Sequence, residues 1–267
     1  MPVAADADPS VTAERIERRD RGPIIDSTLL IAGLVVLWQA GTLVLGAEAL
    51  PSPAETVTKL ASIMADPDFS GHAWETGRAF ATALVIALAG GLAIGLVLGA
   101  SRLSGEVAEP MLVALYAIPK ITLYPVILLL FGLGISAKIA FGVIHGIIPV
   151  VLFTMNAVRN IPRVYFRAAR AMQLSALQTA GAVVVPAALP EIVSGFRVGF
   201  ALTLLGTLIG EMFASQRGIG YMLIKAMETN DTATVMALAL LLVVLATVAS
   251  AALLAIDRRL HRRAPSS

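Results

Sequence analysis

Six stretches of about twenty mostly apolar residues, near 25–45, 78–100, 110–131, 136–156, 188–212 and 233–256, decide the solvent in which this chain folds. About 20 apolar residues in a helix cross the roughly 30 Å of bilayer hydrocarbon. Inside that layer the backbone must satisfy its own hydrogen bonds, and apolar runs this long and continuous read as helices. Composition agrees: 57% of the 267 residues are hydrophobic and 14% charged, with a mean hydropathy of +0.83, against about 25% charged residues in soluble domains. The expectation is an all-α transmembrane protein of about six helices, with one membrane domain over 25–256. Polar tails at 1–24 and 257–267 flank it. A second reading of the N-terminus, a cleaved signal peptide ending near Ala47 to Ala49, meets the difficulty that the run at 27–47 exceeds the roughly 7 to 15 residues of a secretory core.

Charge orients the spans, because cytoplasmic loops hold the excess of Lys and Arg. Thirteen basic residues fall on one side: Arg15, Arg18, Arg19, Arg21, Arg102, Arg159, Arg163, Arg167, Arg170, Arg258, Arg259, Arg262 and Arg263. Five fall on the other: Lys59, Arg78, Lys138, Arg217 and Lys225. Both termini are therefore expected in the cytoplasm. A net charge of +2, gathered in short clusters beside apolar runs, gives no nucleic-acid surface. Without cysteine there is no disulfide or thiolate chemistry, and histidines at 72, 145 and 261 lack metal-ligand spacing. No GxxxxGK[ST] phosphate loop occurs, so no nucleotide cofactor is expected on this chain.

Glycines recur every fourth residue at Gly91, Gly95 and Gly99, at Gly195 and Gly199, and at Gly206 and Gly210, which lets helix backbones approach closely in lipid. The first stripe reads as packing within the chain. For the other two, packing within the chain and packing on a second copy both fit. Gly132 to Ile135 reads as a tight turn joining the third and fourth spans in antiparallel fashion.

Residues 159–187, between the fourth and fifth spans, form the most informative segment. Asn160 and Pro162 mark a helix start that runs through Ala168, Ala169 and Met172; Ser175 caps a second short helix expected to end before Pro186. A small face at Ala168 and Ala169 flanked by Arg163, Arg167 and Arg170 suits insertion into a groove of a soluble partner. An interfacial helix lying on anionic lipid fits the same residues.

Ionisable residues at membrane depth are functional candidates by default. Lys120 follows Pro119 in the third span, and Pro125 adds a second interruption; a broken helix is tolerated only where it faces protein or water, which places Pro119, Lys120 and Pro125 toward a solute pathway. Lys120 would offer charge to an anion or serve as a buried structural lysine. Arg197 is close enough to the cytoplasmic end to extend outward, and His145 among apolar neighbours reads as a packing residue. Glu211 and Met212 fall near the outer end of the fifth span, as lining of an outer gate or as an exposed helix end.

The segment at 160–199 resembles the Glu-Ala-Ala coupling loop of ABC importer permeases, matching at Ala168, Ala169, Arg170, Ser175, Pro186, Ala187, Ala188, Leu189 and Pro190. LPSPAETV at 50–57, IPKITLYPVILLLFGLGISAK at 118–138 and GEMFASQRGIGYMLIKA at 210–226 are similar to the nitrate, sulfonate and taurine branch. The resemblance implies a type I importer permease fold in the bacterial inner membrane and a coupling surface that includes Arg163, Arg167, Ala168, Ala169, Arg170, Met172, Gln173 and Ser175. It also implies three protein partners: a pair of ATPase subunits carrying the ATP and Mg, a second permease copy, and a periplasmic or lipid-anchored solute-binding protein. The solute it implies is a small anion such as a sulfonate, taurine or nitrate. Two positions depart from the pattern, Arg167 where the family has glutamate and Gln173 where it has glycine. The rival readings are an ion-coupled secondary transporter, which needs midplane carboxylates, and a membrane-embedded enzyme, which needs an acid, histidine or nucleophile cluster. The spans carry almost no Asp or Glu and no such cluster.

Overall fold

A computed structural model describes residues 9–261, and every regular element among them is helical. The outermost parts of the two expected tails, 1–8 and 262–267, lie outside the described residues. In chain order the helices are α1 (Pro9–Leu45), α2 (Pro53–Ala65), α3 (Pro67–Ala100), α4 (Arg102–Ala117), α5 (Tyr124–Phe131), α6 (Ile135–Arg159), α7 (Arg163–Ala171), α8 (Ala176–Thr179), α9 (Val185–Ala214), α10 (Ile219–Glu228) and α11 (Thr232–His261). The helix containing the first apolar run starts well ahead of it, at Pro9.

Five helices are long and apolar enough to cross a membrane, and α4 with α5 makes a sixth span bent by 85°. The third span is thus broken, as the prolines led one to expect, and the break falls at Pro119. Ile118 and Pro119 are extended, a 3-10 turn covers Lys120–Leu123, and α5 begins at Tyr124. Pro119 cannot donate to the preceding turn and disfavours helix at Ile118, so the break belongs to this proline. Pro125, expected to interrupt, instead lies in the first turn of α5, where its missing N–H has no helical partner to lose.

The core is a three-helix slab with α6 in the middle. α6 is the most enclosed span, with 56% of its most apolar stretch buried, whereas the span Ile25–Leu45 of α1 has 6% and lies at the periphery. The glycine stripes explain the closeness. A Cβ on Gly91 would lie 2.6 Å from Val150, and one on Gly95 2.5 Å from Thr154, both on α6. From the other side a Cβ on Gly199 would lie 2.5 Å from Val150, and one on Gly206 2.5 Å from the Phe141 carbonyl. The stripes at Gly195 and Gly199 and at Gly206 and Gly210 are therefore covered by α6 of the same chain, and a second copy has no access to them.

Between α8 and α9 the helix does not stop ahead of Pro186 as expected. It passes through one π-helical turn, Ala180–Val184, and continues as α9 with Pro186 in its first turn. A widened turn accommodates a proline ring that would clash with an ordinary helical carbonyl. Asn160 closes α6 rather than opening α7, its backbone N–H bonded to the Asn156 carbonyl, and Pro162 stands at the cap of α7. Ser175 does cap α8, in a reciprocal box with Gln178.

Candidate functional site

Three regions hold the residues singled out by sequence: the α7–α8 surface, the bend between α4 and α5, and the end of the bundle where α9 meets α10.

α7 is amphipathic. Phe166 turns inward against Ala157, Ile161, Ala188 and Ile192. Ala169 is also buried, at 2% exposure. The small face expected at both alanines is therefore corrected: only Ala168 faces outward. Val164 and Tyr165 on α7, Met172 at its end and Leu177 on α8 are exposed too, the last two at 71% and 85% exposure. Arg163, Arg167 and Arg170 are exposed as well, and among the described residues none is within salt-bridge distance of a carboxylate. The neighbouring arginines are engaged, Arg102 with Glu106 and Arg159 with Glu109, each at 2.7 Å. The result is an apolar, cationic ridge attached to the bundle by Phe166 and Ala169.

The ridge ends in a two-bond helix stop. Leu174 N–H donates to the Ala169 carbonyl and Gln173 N–H to the Arg170 carbonyl, both at 3.0 Å. This motif places the residue after the cap in the left-handed region, and Gln173 is there at φ 55°. Side chains with a Cβ are disfavoured in that conformation by about 1 kcal/mol or more. Gln173→Gly is expected to raise stability by about 1 kcal/mol and to leave helix content unchanged, read by thermal unfolding in detergent; a loss of stability would mean that the Gln173 side chain makes a compensating contact.

At the far end of the bundle Glu211 is fully buried. The Thr76 hydroxyl donates to its carboxylate at 2.8 Å to Oε2, and Gly220 N–H donates to Oε2 at 2.9 Å. Lys138, 1% exposed, lies 3.7 Å from Glu211 Oε1 and 3.2 Å from Glu75 Oε1, and donates to the Arg217 carbonyl at 2.8 Å. Ile219 N–H donates to Thr76 Oγ1, and Gly218 N–H donates to His72 Nδ1 at 3.0 Å, so the first backbone donors of α10 are taken up by α3 and α9. Gly218 is required twice over, by its φ of +124° and because a Cβ there would collide with the Glu211 carboxylate. Glu211 thus serves as the internal anion at the start of α10. It has no solvent-exposed surface that a solute could reach in this conformation, while Met212 beside it is half-buried. Sequence reading missed Thr76, Lys138 and Glu75 as partners. The available signal was a lone acid in an apolar span, which requires a nearby cation.

At the bend, Pro119 and Pro125 are exposed and Lys120 is half-buried. Lys120 Nζ donates to the Tyr116 carbonyl at 3.0 Å and lies 5.0 Å from the centre of the Tyr116 ring. Tyr116 also lines a groove of about 810 Å³ with Arg197 and the facing residues of α11. His145 is held by the Phe141 carbonyl, 2.8 Å from Nδ1, and packs beside the Phe141 ring.

An all-helical bundle with five membrane-length apolar helices and one broken span, and a cationic ridge on α7, defines a multi-pass membrane protein. Residues 91–262 match the model of the family described as the binding-protein-dependent transport system inner membrane component, and the chain belongs to that family. It is therefore a multi-pass protein of the bacterial inner membrane. The chain is 28% identical to SsuC of Bacillus subtilis, a permease protein named for aliphatic sulfonates transport, over 88% of this chain and 87% of that one. It is 29% identical to the taurine transport system permease protein TauC of Escherichia coli, over 87% and 88%. Its fold is shared with a chain of an inward-facing MetNI methionine ABC transporter, with a TM-score of 0.62 and 22% identity over 72% of this chain and 95% of that one.

Proposed function

We propose that this chain forms the translocation pathway of an ATP-driven importer for a small anion, as a pair of copies docked through α7 on two separate ATPase subunits. The observation that carries the docking is the α7 ridge. Tyr165, Ala168, Met172 and Leu177 are exposed beyond the apolar spans, and three arginines without a carboxylate partner among the described residues surround them. An interfacial helix on lipid would also expose apolar groups, but it would not need a two-bond stop holding Gln173 in a disfavoured conformation to fix the ridge's shape. ATP and Mg would be bound by the partner, consistent with the missing phosphate loop. ATP-driven closure of the ATPases would move α7 and α8, and through Phe166 and the continuous α8–α9 rod rock the bundle between inward and outward openings.

The excess of arginines at the α7 end supports placing it, with both termini, in the cytoplasm. The Glu211 network then lies at the periplasmic end, where a solute-binding protein would deliver. Relatives named for sulfonates and taurine, together with Lys120 and Arg197 in the spans, support an anionic solute. The test is affinity purification of the tagged chain from gently solubilised native membrane, followed by mass spectrometry. An ATPase with a phosphate-binding loop is expected in roughly equal amount. Recovery of the chain alone, under conditions that keep a known importer whole, would remove the main support and make ion-coupled transport the reading to test.

A further inference from the structure

Two cations in the membrane-spanning region neighbour one aromatic residue, Lys120 over its ring and Arg197 in a groove that it walls. Tyr116, the next-to-last residue of α4, is 42% exposed, carries Lys120 over its ring, and forms one wall of the groove that Arg197 lines from α9 and Thr247 and Ser250 line from α11. Arg197 is exposed in that groove, and neither it nor Lys120 is within salt-bridge distance of a carboxylate among the described residues. Its depth follows from its neighbours. Gly195 packs on Phe153 and Gly199 on Val150, which sets Arg197 roughly 9 to 14 Å along α6 from Arg159 at the helix end. A charge at such depth is costly without an opposite charge or water, and the described residues supply no opposite charge.

We propose that Arg197 in the groove and Lys120, held over the ring of the Tyr116 that walls it, form the anion-holding point of the pathway, taking up the solute's sulfonate, carboxylate or nitrate group beside the break after Ala117. This rests on the importer reading and adds to it the residues that select charge. Two cations without a counter-ion favour an anion electrostatically, and the planar guanidinium of Arg197 can bind two oxygens of one oxyanion. The 3-10 turn that follows Pro119 holds Lys120 beside Tyr116 instead of continuing the helix.

The natural absence of cysteine allows a direct test on the full chain in nanodiscs. Ser250→Cys places one thiol in the groove. Its rates are measured with two water-soluble methanethiosulfonate reagents of similar size, one ending in a sulfonate and one in a trimethylammonium. The sulfonate reagent is expected to react faster relative to the cationic one than it does at Ser62→Cys on α2. Adding Lys120→Met and Arg197→Met is expected to lower the rate ratio of the Ser250→Cys chain by about tenfold or more and to leave that of the Ser62→Cys chain unchanged. The charge-keeping pair Lys120→Arg and Arg197→Lys should retain most of the preference, which separates charge from folding. An unchanged ratio in the methionine pair, loss of the ratio in the charge-keeping pair, or a thiol unreactive toward both reagents would overturn the assignment. A preference present in phosphatidylcholine nanodiscs and abolished by phosphatidylglycerol would identify a lipid headgroup as the occupant and overturn it likewise. The labelling needs no ATPase, so failure to recover an ATPase leaves a positive result standing, and an unchanged ratio beside a recovered ATPase rejects only this site.

Discussion

Ala168→Glu is expected to lower recovery of the ATPase subunit with the purified chain by more than about 100-fold while the chain itself stays folded. Ala168 is exposed at the centre of the α7 ridge, so the substitution adds a carboxylate at the point where a partner's backbone must come close, yet touches no interior contact. Burying an unpaired carboxylate in an interface costs about 3 kcal/mol or more, and each 1.4 kcal/mol is about tenfold in association. Ala169→Glu has the same chemistry and a different consequence. Ala169 is buried, so glutamate there would force α7 off the bundle and lose the partner through misfolding. Measured side by side, helix content and thermal unfolding should be unchanged for Ala168→Glu and impaired for Ala169→Glu. Recovery of the ATPase at parental level with Ala168→Glu would place the contact elsewhere.

The second large effect is expected at the opposite end. Glu211→Leu removes one of the two carboxylates near Lys138, leaves the Gly220 N–H without an acceptor and Thr76 with only the His72 carbonyl, and frees the start of α10. The expected cost is about 3 to 5 kcal/mol, since a buried cation is left with only the partly exposed Glu75 and a carbonyl. Lys138→Met in the same chain should recover part of that loss, because a methionine needs no counter-ion. The comparison is a double-mutant cycle on thermal unfolding in detergent. Equal stability of parent and Glu211→Leu would show that the network does not hold the α9–α10 turn. A double variant as unstable as the sum of the two singles would show that Lys138 and Glu211 act independently.

The features legible in the sequence were those set by solvent and by local chemistry. Apolar runs located the spans, Ser175 announced the start of its helix, and the family motifs pointed to the α7 ridge before any geometry was known. What escaped depended on direction or on distant partners. The spacing of Ala168 and Ala169 could not show which of them faces the bundle, because both suit a small-residue surface until Phe166 finds its place between α6 and α9. The glycine pairs of α9 fitted two partners equally until α6 was seen to cover them. Pro186 read as a helix end because the π turn that accommodates it has no sequence mark. Glu211 read as a gate residue because its partners, Thr76, Lys138 and Gly220, lie as far as 135 residues away along the chain.

The central claim is that α7 sits in a groove of a separate ATPase, and the cysteine-free background gives the most direct measurement of it. Met172→Cys, exposed at the end of the ridge, is joined by a short thiol-reactive photo-crosslinker in native membrane vesicles, and the product is mapped by mass spectrometry. The account predicts one dominant product linking residue 172 to a polypeptide that carries a phosphate-binding loop, lost when Ala168→Glu is added. Crosslinks only to lipid or to a second copy of this chain, with the same pattern in the Ala168→Glu background, would contradict it.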